Sequence, residues 1–180
     1  SIGPSALAGE QTARTAEGKV VLVGPTDAHN AAVIRLALPW TAPTRIGMTV
    51  SAGLGDRLGL ATPGHVRAIR RHGPAVAPVL AQQSIREMTR TGRSPQDVMD
   101  DATWGVFQEG FAVGFGSDAD HLQKPEDVER TAAAGFTMFT IDPGRHVDDQ
   151  ADSLDAAQLG ERFERMDFSL LETSAEDLAR

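Results

Sequence analysis

Short apolar runs alternate with amphipathic stretches along this chain, and that alternation sets the expected fold. Val20-Val21-Leu22-Val23 reads as a buried strand, and Gly24-Pro25-Thr26-Asp27 as the turn after it. Pro39 and Pro43 bracket a break. Ile46–Val50 is strand-like and runs into a glycine-rich loop, with an arginine-studded helix expected from about Pro63. Ala77–Ala81 is the next candidate strand, again followed by helical sequence. At Ser94-Pro95-Gln96-Asp97 a helix start is written out: Ser94 can cap, Pro95 suits the first position, and Asp97 meets the orphan amides. That helix is expected to run to about Gly110, with a short strand near Phe115–Asp118 behind it. Pro125 opens another helix that ends at Gly135. Phe136–Ile141 is the clearest strand, stopped by Asp142-Pro143-Gly144. Residues 155–166 read as a helix with Leu159, Phe163 and Met166 on one side.

Strands alternating with helices predict an α/β fold with a parallel sheet of the (β/α) barrel type. A closed eight-unit barrel takes about 250 residues. Only four or five βα units fit here, so the barrel-type fold is expected to be incomplete. Residues 1–18 are rich in Gly, Ala and Thr without periodicity and read as a flexible segment, leaving 19–180 as a partial catalytic domain. Ser174-Ala175-Glu176-Asp177 resembles a capping box with only Leu178, Ala179 and Arg180 after it, which reads as a truncated helix.

Composition narrows the functional classes. Of 180 residues, 41% are hydrophobic and 23% charged, an ordinary globular balance. No apolar run approaches the roughly 20 residues of a membrane span, and the first residues lack the basic and apolar parts of a signal peptide. The net charge of −8 argues against a nucleic-acid surface. Arg67, Arg70, Arg71 and His72 fit the wet face of a helix better than a phosphate patch. There is no cysteine, so a metal would need His, Asp, Glu or water, and a reducing cytoplasm is the expected location.

Candidate chemistry sits just after the strands, where α/β folds build their sites. In Gly116-Ser117-Asp118-Ala119-Asp120-His121, a strand would put Asp118 and Asp120 on one face. Two such carboxylates repel unless a cation lies between them, and His121 adds a nitrogen ligand. Carboxylates that cap the helix at Pro125 are the alternative. Asp142 ends the Phe136–Ile141 strand, either as a ligand or acid/base group or as the turn-former before Pro-Gly. Gly53-Leu54-Gly55-Asp56-Arg57-Leu58-Gly59 lets backbone approach a ligand and offers Arg57 as a two-pronged donor, or is simply a flexible βα loop. It is neither a Walker loop nor a dinucleotide fingerprint. Gln82 and Gln83 could bond sugar hydroxyls with Arg86 adding charge, or form a polar helix start. Trp104 and Phe107 stand at helical spacing and fit core packing, while Glu109 could reach a site from the helix end.

Five stretches carry a resemblance: GDRLGLATPGH (55–65), AQQSIREMTRTGRSP (81–95), DDATWGVFQEGF (100–111), FGSDADHLQKPEDV (115–128) and GFTMFTIDPG (135–144). Over about residues 45–150 the chain resembles the tagaturonate epimerases, also described as tagaturonate–fructuronate epimerases. The resemblance implies an α/β barrel-type fold, a chain considerably longer than this one, and a divalent metal ion, whether manganese, zinc, nickel or iron. It implies a hexuronate substrate; charge and hydropathy predict no nucleic-acid or membrane partner, and homo-oligomerisation is left open. The two sugars differ at the carbon β to the ketone, so removal of an α-proton cannot interconvert them. Retro-aldol cleavage through an enediolate can. On this reading Asp120, His121 and Asp142 are metal ligands, and Asp118, Asp142 and Glu109 are acid/base candidates. Asp56, Arg57, His65, Gln82, Gln83 and Arg86 would hold the substrate. A related aldolase or ketose isomerase, and a sugar-acid-binding fragment without catalysis, are the rival expectations.

Overall fold

Parallel pairing of short apolar strands builds the scaffold. The computed structural model describes residues 6–168 and 174–178. Its principal sheet has the order β3(Ser51–Gly53), β4(Ala77–Ser84), β5(Gly116–Leu122) and β6(Met138–Ile141), with every neighbouring pair parallel. The register sets Gln82 beside Asp118, Ser84 beside Asp120, and Asp118 beside Met138. Gln82 and Ser84 lie at the C-terminal end of β4, and Asp120 lies toward that of β5.

Helices make the crossovers. α2(Thr62–His72) follows β3, α3(Ile85–Thr91) and α4(Pro95–Glu109) follow β4, and α5(Pro125–Ala133) follows β5. The Ser94 hydroxyl accepts from the Asp97 amide, as expected of a cap, and the Asp97 carboxylate accepts in return from the Ser94 amide, which completes a capping box. Gly110, at φ 57°, closes the helix in the left-handed conformation. α2 and α4 cross closely because position 105 is glycine: a Cβ there would lie 2.6 Å from Thr62 Cβ. The core between helices and sheet is built on Leu80, Met88, Met99, Val106, Phe115 and Leu122, all nearly inaccessible to solvent. Burial of such side chains contributes about 1.5–3 kcal/mol each.

Three sequence expectations shift. Ile46–Val50 is a turn, not a strand: the Thr49 amide donates to Ile46 O and Gly47 takes a φ of 57°, so pairing begins only at Ser51. Val20–Val23, read as buried, is β2 of a separate antiparallel hairpin with β1(Glu10–Arg14), and Val23 is 61% exposed. A two-stranded ribbon has too little sheet to bury both faces. The aperiodic segment 1–18 thus contains strand β1, whose residues are all exposed, so no apolar alternation marked it. α1(Ala28–Ala37) follows the hairpin, capped by Asp27.

The fold is α/β with a four-stranded parallel sheet, and a fifth βα unit is not seen among the described residues. Ser1–Asp142 forms one compact unit and Pro143–Arg180 a second. The second holds α6(Ala156–Glu164), capped by Asp155 and Gln158, and α7(Ala175–Leu178), where Ser174 Oγ accepts from the Asp177 amide. Among the described residues no helix is long and apolar enough to cross a membrane.

Candidate functional site

Where β3, β4 and β5 end, a cavity of about 660 Å³ opens, lined by the 55–61 loop with Gln82, Gln83, Glu87 and Asp120. Each lining residue arrives for a local reason. The loop is shaped by Asp56, whose buried carboxylate accepts the amides of Leu58, Gly59, Leu60, Ala61 and Thr62. Burial pushes this carboxyl upward, but the amides of Ala61, Thr62, Leu60 and Leu58 outweigh it and hold the group below the ordinary aspartate range. Asp56, expected to touch substrate, is fully engaged in holding the loop. Arg57, next to it, is thrown outward: its side chain is 71% exposed, and its Nε meets Glu87 Oε1 at 2.5 Å.

Gln82 and Gln83 leave β4 on opposite faces, as strand geometry requires. Gln82 Nε2 donates to Asp118 Oδ2 at 3.2 Å. It fits because position 53 is glycine, where a Cβ would lie 2.5 Å from Gln82 Oε1. Gln83 is buried; its Nε2 donates to Thr91 Oγ1 and its Oε1 accepts from Arg93 Nη1 at 2.5 Å. Arg93 also donates to Asp56 O at 2.8 Å and to Asp101 Oδ2 at 2.5 Å, tying loop, strand and helix together.

Asp118 lies one layer beneath the cavity, 3% exposed, reached through Gln82. Thr140 Oγ1 stands 2.9 and 3.0 Å from its two oxygens. Burial raises this carboxyl above the ordinary range; the Thr140 and Gln82 donors pull the other way, and the nearby Asp120 charge adds to the rise. Asp120 reaches the cavity itself, and its Oδ1 lies 2.7 Å from His121 Nδ1. His121 has a φ of 56°, the one left-handed non-glycine among the described residues. Such backbone costs roughly 1–2 kcal/mol for an L-residue and concentrates at functional positions.

The remaining expected residues are elsewhere. Glu109 is at the far end of α4, held by Arg67 through Nε and Nη2 at 3.1 and 2.7 Å. His65 lies on α2 outside the cavity lining, with its Nδ1 buried and without a hydrogen-bond partner among the described residues. Arg86 is exposed on α3 and does not line the cavity. Asp142 follows β6, where Gln123 Nε2 donates to its Oδ2 at 2.7 Å, and is not among the lining residues. Among the described residues no three His, Asp or Glu side chains are placed to hold a metal ion. Asp120 and His121 offer an oxygen and a nitrogen side by side, short of the three protein ligands of a usual catalytic centre. Glu87, Thr140 and Arg93 were missed by sequence reasoning. The partners of Glu87 and Thr140 lie 30 and 22 positions away and those of Arg93 between 8 and 37, outside the reach of any local motif.

A family model for tagaturonate epimerase matches residues 4–178. The chain belongs to that family. It is 49% identical over 151 residues to a tagaturonate/fructuronate epimerase of Thermotoga maritima, a match covering 84% of this chain and 31% of that protein. Among solved structures it matches the native fructuronate-tagaturonate epimerase UxaE from Cohnella laeviribosi with a TM-score of 0.77 and 40% identity. A form of that enzyme complexed with two glycerols gives a TM-score of 0.78 at 39% identity. Both cover 92% of this chain and 32% of the matched one. This member of the tagaturonate epimerase family therefore spans about a third of the length of the relatives it matches.

Proposed function

We propose that this chain supplies part of the sugar-acid site of an enzyme that interconverts D-tagaturonate and D-fructuronate. One observation carries the reading within a chain of this family: a cation, an amide and carboxylates converge on one cavity at the C-terminal ends of parallel strands. Arg57 is the group suited to a substrate carboxylate, as a planar donor pair with an exposed face. Gln82 can donate to and accept from sugar hydroxyls, and Asp120 can accept from them.

The reaction inverts a carbon β to a ketone. In the retro-aldol route the hydroxyl on that carbon gives up its proton, the bond to the α-carbon breaks, and an aldehyde and an enediolate result. The aldehyde half turns, the bond re-forms on its other face, and the proton returns to the new hydroxyl. Asp118 is the proposed proton carrier, because a buried carboxyl raised by desolvation holds a proton more readily than a surface one. Its distance from the cavity through Gln82 requires a water or the Gln82 amide to complete the path. A divalent metal belongs to this proposal, with Asp120 and His121 as two of its ligands and the others drawn from outside these residues; when bound it would act as a Lewis acid.

The test is to incubate the full-length protein with D-tagaturonate in deuterated water and follow D-fructuronate by NMR. Conversion with the original hydrogen kept at the inverting carbon is expected. Deuterium at that carbon would sink the retro-aldol route, and absence of conversion would sink the epimerase reading.

A further inference from the structure

Arg57 is the one cation lining the cavity among the described residues, and its own backbone leaves it poorly fixed: the side chain is 71% exposed on a loop. A long exposed side chain loses rotamer freedom when it grips a ligand, and that loss weakens the grip. Glu87 addresses this. It sits in the first turn of α3, at the end of the central strand β4, with its backbone amide capped by Ser84 Oγ at 3.3 Å. Its carboxylate is mostly shielded and meets Arg57 through Nε at 2.5 Å, while Glu87 itself lines the cavity. A guanidinium held at Nε still presents both Nη groups, and those form the end-on pair that suits a carboxylate. Among the described residues neither Nη donates a hydrogen bond to a protein acceptor.

We infer that Glu87 is a positioning residue, which pre-orients Arg57 so that its two Nη groups select a carboxylate-bearing sugar over a neutral one. The inference rests on the sugar-acid reading of this cavity and extends it to specificity. A rigid helix-borne acceptor gives what a loop cation lacks, a fixed orientation before ligand arrives. The opposite effect is conceivable from charge alone, since Glu87 repels an incoming carboxylate. The two pictures differ in the sign of the effect of removing it.

The experiment measures equilibrium binding of D-tagaturonate and of the neutral ketohexose of the same configuration to the full-length protein, with KM and kcat alongside. Glu87→Ala is expected to weaken tagaturonate binding about three- to fivefold, the range of a partly exposed ion pair, with kcat and neutral-sugar binding unchanged. Glu87→Gln removes the charge but leaves a polar acceptor beside Nε, and is expected to lose less than Glu87→Ala. Arg57→Ala is expected to lose at least tenfold, the effect of a charge-assisted bond. Unchanged or tighter tagaturonate binding by Glu87→Ala overturns the inference, as does an equal loss in Glu87→Gln. If Glu87→Ala also loses the neutral sugar, the variant is damaged and Glu87→Gln against Arg57→Ala decides. Failure of the wild-type protein to bind tagaturonate would instead bring down the sugar-acid reading, and this inference with it.

Discussion

Removing the carboxylate of Asp56 should collapse the loop that forms one wall of the cavity. The group is 6% exposed. Its Oδ1 accepts the amides of Leu58, Gly59 and Leu60 at 3.3, 2.8 and 3.1 Å. Its Oδ2 accepts those of Ala61 and Thr62 at 2.7 and 3.0 Å, and the Thr62 hydroxyl at 3.2 Å. Helix α2 has no side-chain cap at Ala61, so Asp56 serves that end from six residues upstream of Thr62. A single hydrogen bond to a charged group contributes about 1.5–3 kcal/mol. The six are not additive, because an opened loop gives several donors to water, and breaking a buried charged network costs about 3–5 kcal/mol. That is the loss expected for Asp56→Ala.

Asp56→Asn is the sharper variant. An amide keeps one acceptor oxygen, so it can serve the Leu58–Leu60 side or the Ala61–Thr62 side but not both. About 2–4 kcal/mol should be lost by the same reasoning. Urea unfolding followed by circular dichroism reads the difference, as a shift in midpoint at constant slope. Asp56 has its folded pKa below its unfolded value. Its stabilisation is therefore complete above the unfolded value of about 3.9 and fades as pH falls through the folded one. The gap between wild type and Asp56→Asn should narrow accordingly in acid. A variant within about 0.5 kcal/mol of wild type at neutral pH, or a gap indifferent to acid, would refute the capping role.

Other perturbations follow from the same geometry. Gly105→Ala drives a methyl to 2.6 Å from Thr62 Cβ and should cost about 1–3 kcal/mol by overpacking, read as a lowered melting temperature. Arg93→Ala releases Asp56 O, Gln83 Oε1 and Asp101 together and should destabilise by about 2–4 kcal/mol in urea titration; lysine should recover little of this, having no fork to span three acceptors. His121→Gly keeps the left-handed backbone and removes only the imidazole. Elemental analysis of the full-length variant should then find less bound metal with the fold intact, and unchanged metal content would end the ligand assignment.

The elements that were legible in the sequence are those with local causes. Ser94-Pro95-Gln96-Asp97 starts α4 through bonds spanning three residues, and Pro125 and Gly135 bound α5 and its exit. The Ile46–Val50 strand failed for an equally local reason, the left-handed Gly47, which composition alone did not weigh against four apolar or β-branched neighbours. Residue roles were less legible because they depend on which end of an element a side chain occupies. Glu109 belongs to a family-matching stretch, yet α4 is 15 residues long and runs back from the strand ends. At 1.5 Å per residue it carries Glu109 about 20 Å from the helix start, to where Arg67 meets it.

The adjacent glutamines show what elementary geometry could have added. Read as a pair, Gln82 and Gln83 suggest two amides for one sugar. Read with the two-residue period of a strand, they must face apart. Gln82 then belongs with Asp118, its register partner on β5, and Gln83 with whatever covers the helix side of β4. That is what their partners are: Asp118 for Gln82, Thr91 and Arg93 for Gln83. Asp56 divides from Arg57 in the same way, one carboxylate turned inward to hold the loop and one guanidinium turned outward to Glu87. All four residues border the cavity, but Asp56 and Gln83 spend their polar groups on holding loop, strand and helix in place, which leaves Arg57 and Gln82 as the ligand-facing members. A substitution at Gln83 should therefore register first in stability, and one at Gln82 first in sugar affinity.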